Sequence, residues 1–595
     1  MYNMNIYNMK NNIPGIIVSI FALTFVSCED FLDRVPKTEI TAKDYFKSAS
    51  DLETYSNGFY QSFMSAPYDD VGSDNVSIST NASTIYTMVN SDGVSSSNIG
   101  GWNTDDWAGL RRINYMLNNI HPEQMNISEA DLNHYTGIAK FFRGNYYYGK
   151  VKNYSAVPFY NTAMDATSEE LYKASDPRTL IVDSVISDLE FAANNIKTTI
   201  GQRTRLNQYA ALTLLARTCL HEATFRKYHT ELGLTGSADT YFEKAIAACE
   251  KIIASKQFEI VGSSSLDYRA LFTSSKLRDN KEIIMFMEYD QALGRGNNTH
   301  TVLGEYWGLT RSLMEAYQMA DGSNFNQSNP DGSLKSYVDL FKDRDPRFAE
   351  TFAYPGFNIS PEITNNTPYK PKITYGGLIQ LKFFPRETAQ RRGWNMNYTS
   401  LPIFRYAEVL LIYAEAKAEK GTLTQGDLDK SVNLIRARVG MPKINLSANV
   451  LEDIRRERRV ELACEGFRLD DIKRWKKGEL LGQKPQGIYI DKFGAFDVTG
   501  DNIPDIAILP SRNDESSIAG LPDNVKTALV KEYLVDANGK ETSIYLGNAD
   551  GKSGYIEFAT SRNRKWEDRF YYIPIPKRQL QLNPNLIQSP GWENN

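Results

Sequence analysis

The strongest constraint on this chain is a set of segments whose apolar residues recur at i, i+3, i+4 and i+7, the spacing that lines one face of an α-helix. They come in pairs. Residues 139–154 precede 179–196; residues 207–228, with Ala210, Ala211, Leu214, Leu215 and Ala216, precede 241–255, with Ala245, Ala248 and Ile252. Residues 404–420, with Ala407, Leu410, Leu411, Ala414 and Ala418, precede 427–439, and a further helical pattern covers 107–120. Alanine at a contact face lets two helices approach closely, and pairs of this kind stack into tetratricopeptide-like arrays. The spacing between pairs is irregular, so the array is degenerate and interrupted. The expected fold is mainly α: degenerate tetratricopeptide-like helix pairs forming the scaffold of a single intertwined domain, with a core at about 107–256 and 404–475.

The interruptions, 66–105, 258–402 and 477–570, are rich in Gly, Asn, Asp, Ser and Pro and carry short β-like runs at 282–287 and 488–490. Long irregular insertions on a rigid frame are where binding surfaces are usually placed. A neutral sugar needs a flat aromatic against its C–H face and nearby amides, carboxylates or Arg for its hydroxyls. The insertions supply both in Asp74-Asn75 with Tyr86 and Trp102-Asn103, in Trp307, and in Arg391-Arg392 with Trp394-Asn395 and Tyr398. Trp102 follows Gly100-Gly101, which places it at an exposed loop tip, whereas Trp107 opens an amphipathic helix and belongs to the core.

Residues 1–27 read as a signal peptide: Lys10 supplies the positive end, residues 13–26 an apolar run too short to cross a bilayer, and Ser27 a small residue for cleavage. Glu29, Asp30 and Asp33 follow at once, which disfavours a membrane anchor. Cys28 directly after the small residue resembles the lipobox of bacterial lipoproteins, in which that cysteine is acylated, although Phe25 stands where Leu is usual.

The net charge of −5, with acids and bases interspersed, leaves no electrostatic footprint for nucleic acid. Cys219, Cys249 and Cys464 lack the number and spacing of a disulfide framework or zinc site and read as buried thiols. The five histidines show no H-E-x-x-H spacing, and neither G-x-S-x-G nor a glycine-rich phosphate loop is present. A glycoside hydrolase remains an alternative, since its two carboxylates, ~5–9.5 Å apart, can lie anywhere in a sequence. Glu457, Glu461 and Glu465 recur at i, i+4 and i+8, a row that could bind metal or act as acid and base. The interleaved Arg455, Arg456, Arg458 and Arg459 favour ion pairs that fix the docking of the helix. Asp497-Val498-Thr499-Gly500-Asp501-Asn502-Ile503-Pro504-Asp505 mimics the alternating oxygen ligands of a calcium loop, with Asp497, Thr499, Asp501 and Asp505 as ligands. It lacks Gly at the sixth position and Glu at the twelfth, and a plain polar turn is the other reading. No further cofactor is expected.

Three blocks carry a family signature: FRYAEVLLIYAEA at 404–416, IRRERRVELACEGFRLDDIKRW at 454–475, and the terminal run YIPIP at 572–576 with LNPNL at 582–586 and PGW at 590–592. With Cys28 to Asp33 and Asp345-Pro346-Arg347, they resemble the SusD/RagB family of outer-membrane nutrient-binding lipoproteins. That resemblance implies a lipid-anchored protein on the outer face of the outer membrane that captures a glycan and hands it to a SusC-like TonB-dependent barrel. In some branches the ligand is a peptide, which stands as an alternative. Glu29 and Asp30 resemble the surface-export signal of such lipoproteins, and Arg405 and Glu408 fall on framework positions.

Overall fold

The computed structural model describes residues 45–593 apart from 80–82, 92, 100, 103, 199–200, 361–366, 392, 536–537, 559 and 561–562. The signal peptide 1–27, Cys28, Glu29 and Asp30 lie outside the described residues, as do Asn103 and Arg392.

Helices α1 (Ala49–Phe63), α2 (Thr104–Asn118), α3 (Glu129–Tyr154), α4 (Arg178–Asn195), α5 (Gln208–Tyr228) and α6 (Ala238–Ala254) build an array in which α3 packs on α4, α4 on α5 and α5 on α6. Local signals start them. Ser128 Oγ accepts from the Asp131 amide at 3.1 Å, and Asn207 Oδ1 from the Ala210 amide at 3.0 Å, each satisfying an orphan donor of the first turn. Close approach is a matter of side-chain size: a Cβ on Gly144 in α3 would meet Leu189 of α4 at 3.0 Å. The alanines of α5 do the same work against α6, and Ala210, Ala211, Ala216 and Ala223 are buried.

The chain leaves this array after α6 and returns at α7 (Tyr406–Lys420), which packs against α5 and α6 and is apolar almost all round because it is enclosed by the array on one side and by α8 (Val450–Glu461) on the other. Phe404, Ala407, Leu410 and Leu411 join the residues of α3 to α6 in one hydrophobic core, which is why the chain reads as intertwined. The pattern at 427–439 is two short helices, Gln425–Asp429 and Val432–Arg438, because Ser431 departs from helical dihedrals. Block 454–475 likewise contains a break: α8 ends at Glu461 and α9 (Arg468–Arg474) begins after a turn in which Cys464 and Gly466 have positive φ. Cys219, Cys249 and Cys464 are buried free thiols. No helix among the described residues is long and apolar enough to cross a membrane.

The intervening segments form small sheets: β1 (Val76–Ser79) with β3 (Trp307–Leu309); β2 (Ile283–Met287) with β4 (Leu401–Arg405); β6 (Gly494–Phe496), β7 (Ile506–Ser511) and β8 (Val530–Val535) in that order; and β5 (Tyr489–Ile490), β10 (Gly554–Phe558) and β9 (Ile544–Leu546). All pairings are antiparallel except β7 with β8. They pack into a second core with Tyr268, Phe272, Tyr317, Phe348 and Phe352.

Candidate functional site

The ribbon β2–β4 ties the frame to the surface. Its register runs from Ile283 opposite Arg405 at one end to Met287 opposite Leu401 at the other. At the first end Arg405 reaches Glu461 at 2.7 Å, Glu465 at 2.7 Å and Glu282 at 3.1 Å, while Arg438 spans Glu282 and Glu461 at 2.8 and 2.5 Å. Arg347 of the Asp345-Pro346-Arg347 run joins Glu457 and Glu461 at 2.5 and 2.9 Å, and Lys382 meets Glu465 at 2.7 Å. Burial alone would raise the Glu461 carboxyl, but the guanidiniums of Arg438, Arg405 and Arg347 reverse that and hold it well below the usual carboxylate range. The acid row of α8 is therefore an ion-pair assembly that docks the helix, as its interleaved arginines predict. Glu465 takes part from the turn beyond the helix rather than from its face.

At the other end of the ribbon, the segment after β2 and the segment before β4 emerge side by side. Asn297 N donates to the Asn397 carbonyl at 2.7 Å, and Asn297 Nδ2 to the Thr399 carbonyl at 2.8 Å. Asn298 and Asn395 are paired twice: the Asn395 amide donates to Asn298 Oδ1 at 2.6 Å and Asn298 Nδ2 to Asn395 Oδ1 at 3.0 Å. Asn395 has φ +57°, a left-handed conformation that Asn tolerates better than most residues. The approach is closest at Gly296, where a Cβ would lie 1.9 Å from the Asn395 carbonyl oxygen.

These contacts hold Trp394 out from the surface, 57% exposed. Its ring centroid is 5.9 Å from Tyr306 and 5.9 Å from His300. His300 Nδ1 donates to Asn397 Oδ1 at 3.1 Å, which fixes the imidazole. The result is a cluster in which Tyr306 and His300 stand 53° and 77° out of the Trp394 plane, beside the mutually bonded Asn298 and Asn395; an exposed ring beside amides is the combination that sugar-binding surfaces use. Tyr398 is half-buried nearby with its hydroxyl 3.5 Å from Glu387, and Arg391 is turned inward to the carbonyls of Pro385 and Arg386.

The other nominated residues among those described make contacts within the fold, and the exposed loop-tip position expected for Trp102 is the one expectation overturned. Asp74 pairs with Arg468 at 2.7 Å and Arg459 at 3.1 Å; burial would raise its carboxyl, and the two guanidiniums hold it well below the ordinary range. Asn75 is buried and donates to Asp70 at 2.8 Å. Trp307 is 3% exposed and donates from Nε1 to Gln380 at 2.9 Å. Trp102 is not at a loop tip: it folds back onto Trp107 and Tyr154, each 5.0 Å away, with the Lys150 ammonium 5.4 Å from its ring. Tyr86 is half-buried under the Arg564 guanidinium. A concavity of about 590 Å3 is lined by Trp102 and Trp107 and walled by Tyr160, Tyr172, Leu582 and Leu586, with Trp102 only 8% exposed. Sequence reasoning missed Tyr306, His300 and Asn298, whose place beside Trp394 depends on the pairing of β2 with β4.

Comparison with known proteins gives one consistent result. The SusD family model matches residues 280–592, and a second model, described as starch-binding associating with outer membrane, matches residues 30–220. The SusD-like protein P2 of Formosa agariphila is 25% identical over 513 residues, covering 79% of this chain and 92% of that protein. A SusD-like carbohydrate binding protein from Bacteroides fragilis superposes with a TM-score of 0.66 at 22% identity, over 91% of this chain and 100% of that one. A laminarin binding SusD-like protein gives 0.57 at 19% identity, over 92% and 100%. At these identities the structural likeness establishes the fold.

Proposed function

The chain belongs to the SusD family, and from that membership we propose that it is a lipid-anchored protein of the outer bacterial surface that binds a glycan without cleaving it and passes it to a SusC-like TonB-dependent barrel. The observation that carries the binding step is the exposed Trp394 ring, held beside Tyr306, His300, Asn298 and Asn395. A ring fixed before binding loses little freedom when ligand stacks on it, so its contact energy goes into affinity. Glycan is favoured over peptide by this aromatic-and-amide surface and by the carbohydrate and laminarin binding of the structural relatives. Binding rather than hydrolysis is supported by the acids themselves: Glu457, Glu461, Glu465 and Asp74 are each held by buried arginines. Lipid at Cys28 would confine the protein to the membrane plane and raise its effective concentration near the barrel, so a modest interface suffices.

Titration calorimetry of the purified chain with laminarin and starch oligosaccharides tests the reading, with product analysis after prolonged incubation. Binding of one series without new reducing ends supports it; no binding to either, or steady release of product, overturns it. Delivery is tested separately, by mild-detergent purification from native outer membranes, where a TonB-dependent barrel should co-purify with the wild type. Its absence would leave a free-standing surface binder.

A further inference from the structure

The nine residues 497–505 close the hairpin of β6 and β7, remote in sequence from the aromatic cluster. A cluster of acids alone says little, and this one is partly engaged. Asp497 accepts from the amides of Thr499, Gly500 and Asn502 at 3.0, 2.7 and 2.8 Å; Asp505 accepts from Val498 and Thr499 at 3.0 Å each; Asp501 accepts from Ile503 at 2.8 Å. Lys370 Nζ stands 3.5 Å from Asp505. Yet these bonds wrap the backbone around the carboxylates instead of spreading them, and one oxygen from each of Asp497, Asp501 and Asp505 lies within 4.8 Å of the others. Carboxylates gathered so closely repel one another, and a cation among them would relieve that repulsion.

Thr499 points the same way independently. It is 8% exposed, and its hydroxyl oxygen is shielded from solvent with no hydrogen-bond partner. A buried hydroxyl left unpaired is costly, so its partner is to be sought in something the protein binds. The amide of the same residue donates to both Asp497 and Asp505, which sets Thr499 against two of the three carboxylates. Two sequence objections also fall away. The sixth position, where a calcium loop uses Gly for its sharp turn, is Asn502 with φ +65°, the conformation that Gly would supply. Asp505, buried and folded back onto the loop by its bonds to Val498 and Thr499, supplies the closing carboxylate that the absent Glu would give.

We propose that Asp497, Thr499, Asp501 and Asp505 bind a calcium ion that locks the β6–β7 loop. The donors are all hard oxygens, three anionic and one neutral, which suits Ca2+ over thiophilic or imidazole-seeking metals, and an irregular loop suits its flexible coordination better than the strict octahedron of Mg2+. Extracellular sites of this kind bind at on the order of 10⁻⁴–10⁻³ M, a range that the exterior of a cell supplies.

The test is thermal unfolding of the whole purified chain after EGTA treatment, with CaCl2 or MgCl2 added back from 0.1 to 10 mM. Calcium should raise the midpoint saturably by several degrees and magnesium much less. Asp501→Asn, at an exposed position, should leave the EGTA midpoint in place and abolish the calcium shift, and Thr499→Val should weaken it. No calcium shift in the wild type, an equal shift with magnesium, or a full shift retained by Asp501→Asn overturns the proposal. Sugar titrations at fixed calcium keep this result separate from the glycan reading.

Discussion

Arg405 and Glu461 meet at 2.7 Å with 2% and 0% of their side chains exposed, and the contact joins the end of β4 to the end of α8. Charges buried this deeply are favourable only while every partner is present. Glu461→Gln would leave Arg347, Arg405 and Arg438 sharing a neutral amide, and a loss of about 3–5 kcal/mol of unfolding free energy is expected. Urea unfolding measures it; a change under about 1 kcal/mol would mean that the contacts around Glu461 contribute little.

Acid should expose the same assembly. Burial raises the carboxyls of Glu461 and Glu465, and the surrounding arginines, with Lys382 at Glu465, bring both below the usual range. A carboxyl depressed in the folded state contributes stability that is complete above its unfolded value, about 4.3, and is lost as pH falls through the folded one. Asp70 acts in the opposite sense, since burial pushes it up to about 6, so its contribution declines as pH rises from about 4 to 6. The carboxylate limb is therefore read below pH 4, where wild type should lose stability steeply and Glu461→Gln less so. Parallel slopes in the two proteins would contradict this.

The tryptophans should separate into two kinds. Trp394→Ala is expected to weaken glycan binding by roughly 1–2 kcal/mol with little effect on unfolding, because its ring is exposed. Trp307→Ala, which empties a buried site and leaves Gln380 Oε1 without its donor, should cost about 3–5 kcal/mol of stability. Calorimetry and denaturation on both variants distinguish them, and unchanged affinity in Trp394→Ala would remove the aromatic cluster from consideration.

Gly296→Ala tests how the cluster is held. The new methyl would collide with the Asn395 carbonyl, so the segment bearing Trp394 must shift and affinity should fall several-fold while the melting midpoint stays within a few degrees. Unaltered affinity would show that the placement of Trp394 does not depend on this contact.

The scaffold was legible because helices announce themselves locally: the alanine face of α5 is read within a few residues. The turn after Glu461 was not, since a distant residue holds it: Asp70 accepts from the amides of Cys464 and Gly466 at 2.7 and 3.0 Å; nor was the break at Ser431, whose hydroxyl donates to the Asp427 carbonyl at 2.5 Å. Trp102 was misplaced for a related reason. Gly100-Gly101 does signal a turn, but Tyr154 Oη donates to the Gly101 carbonyl at 2.6 Å and draws the segment inward. Within the candidate site, Trp394 and Asn395 could be nominated from composition, whereas Tyr306, His300 and Asn298 come from a segment about a hundred residues earlier and join them only through the β2–β4 ladder.

That ladder has a bearing on how such a protein diversifies. Its anchoring charges all sit at the Arg405 end, and the segments carrying Asn298 and Trp394 leave from the Met287 end, so substitutions in the two segments act at a distance from the network that sets stability. Insertions and exchanges there are tolerated as in other surface loops. A lineage moving to a new ligand can therefore exchange exposed positions such as Trp394, Asn395 and Met396 while keeping the buried Asn297, Asn397 and Thr399 that hold the two segments together.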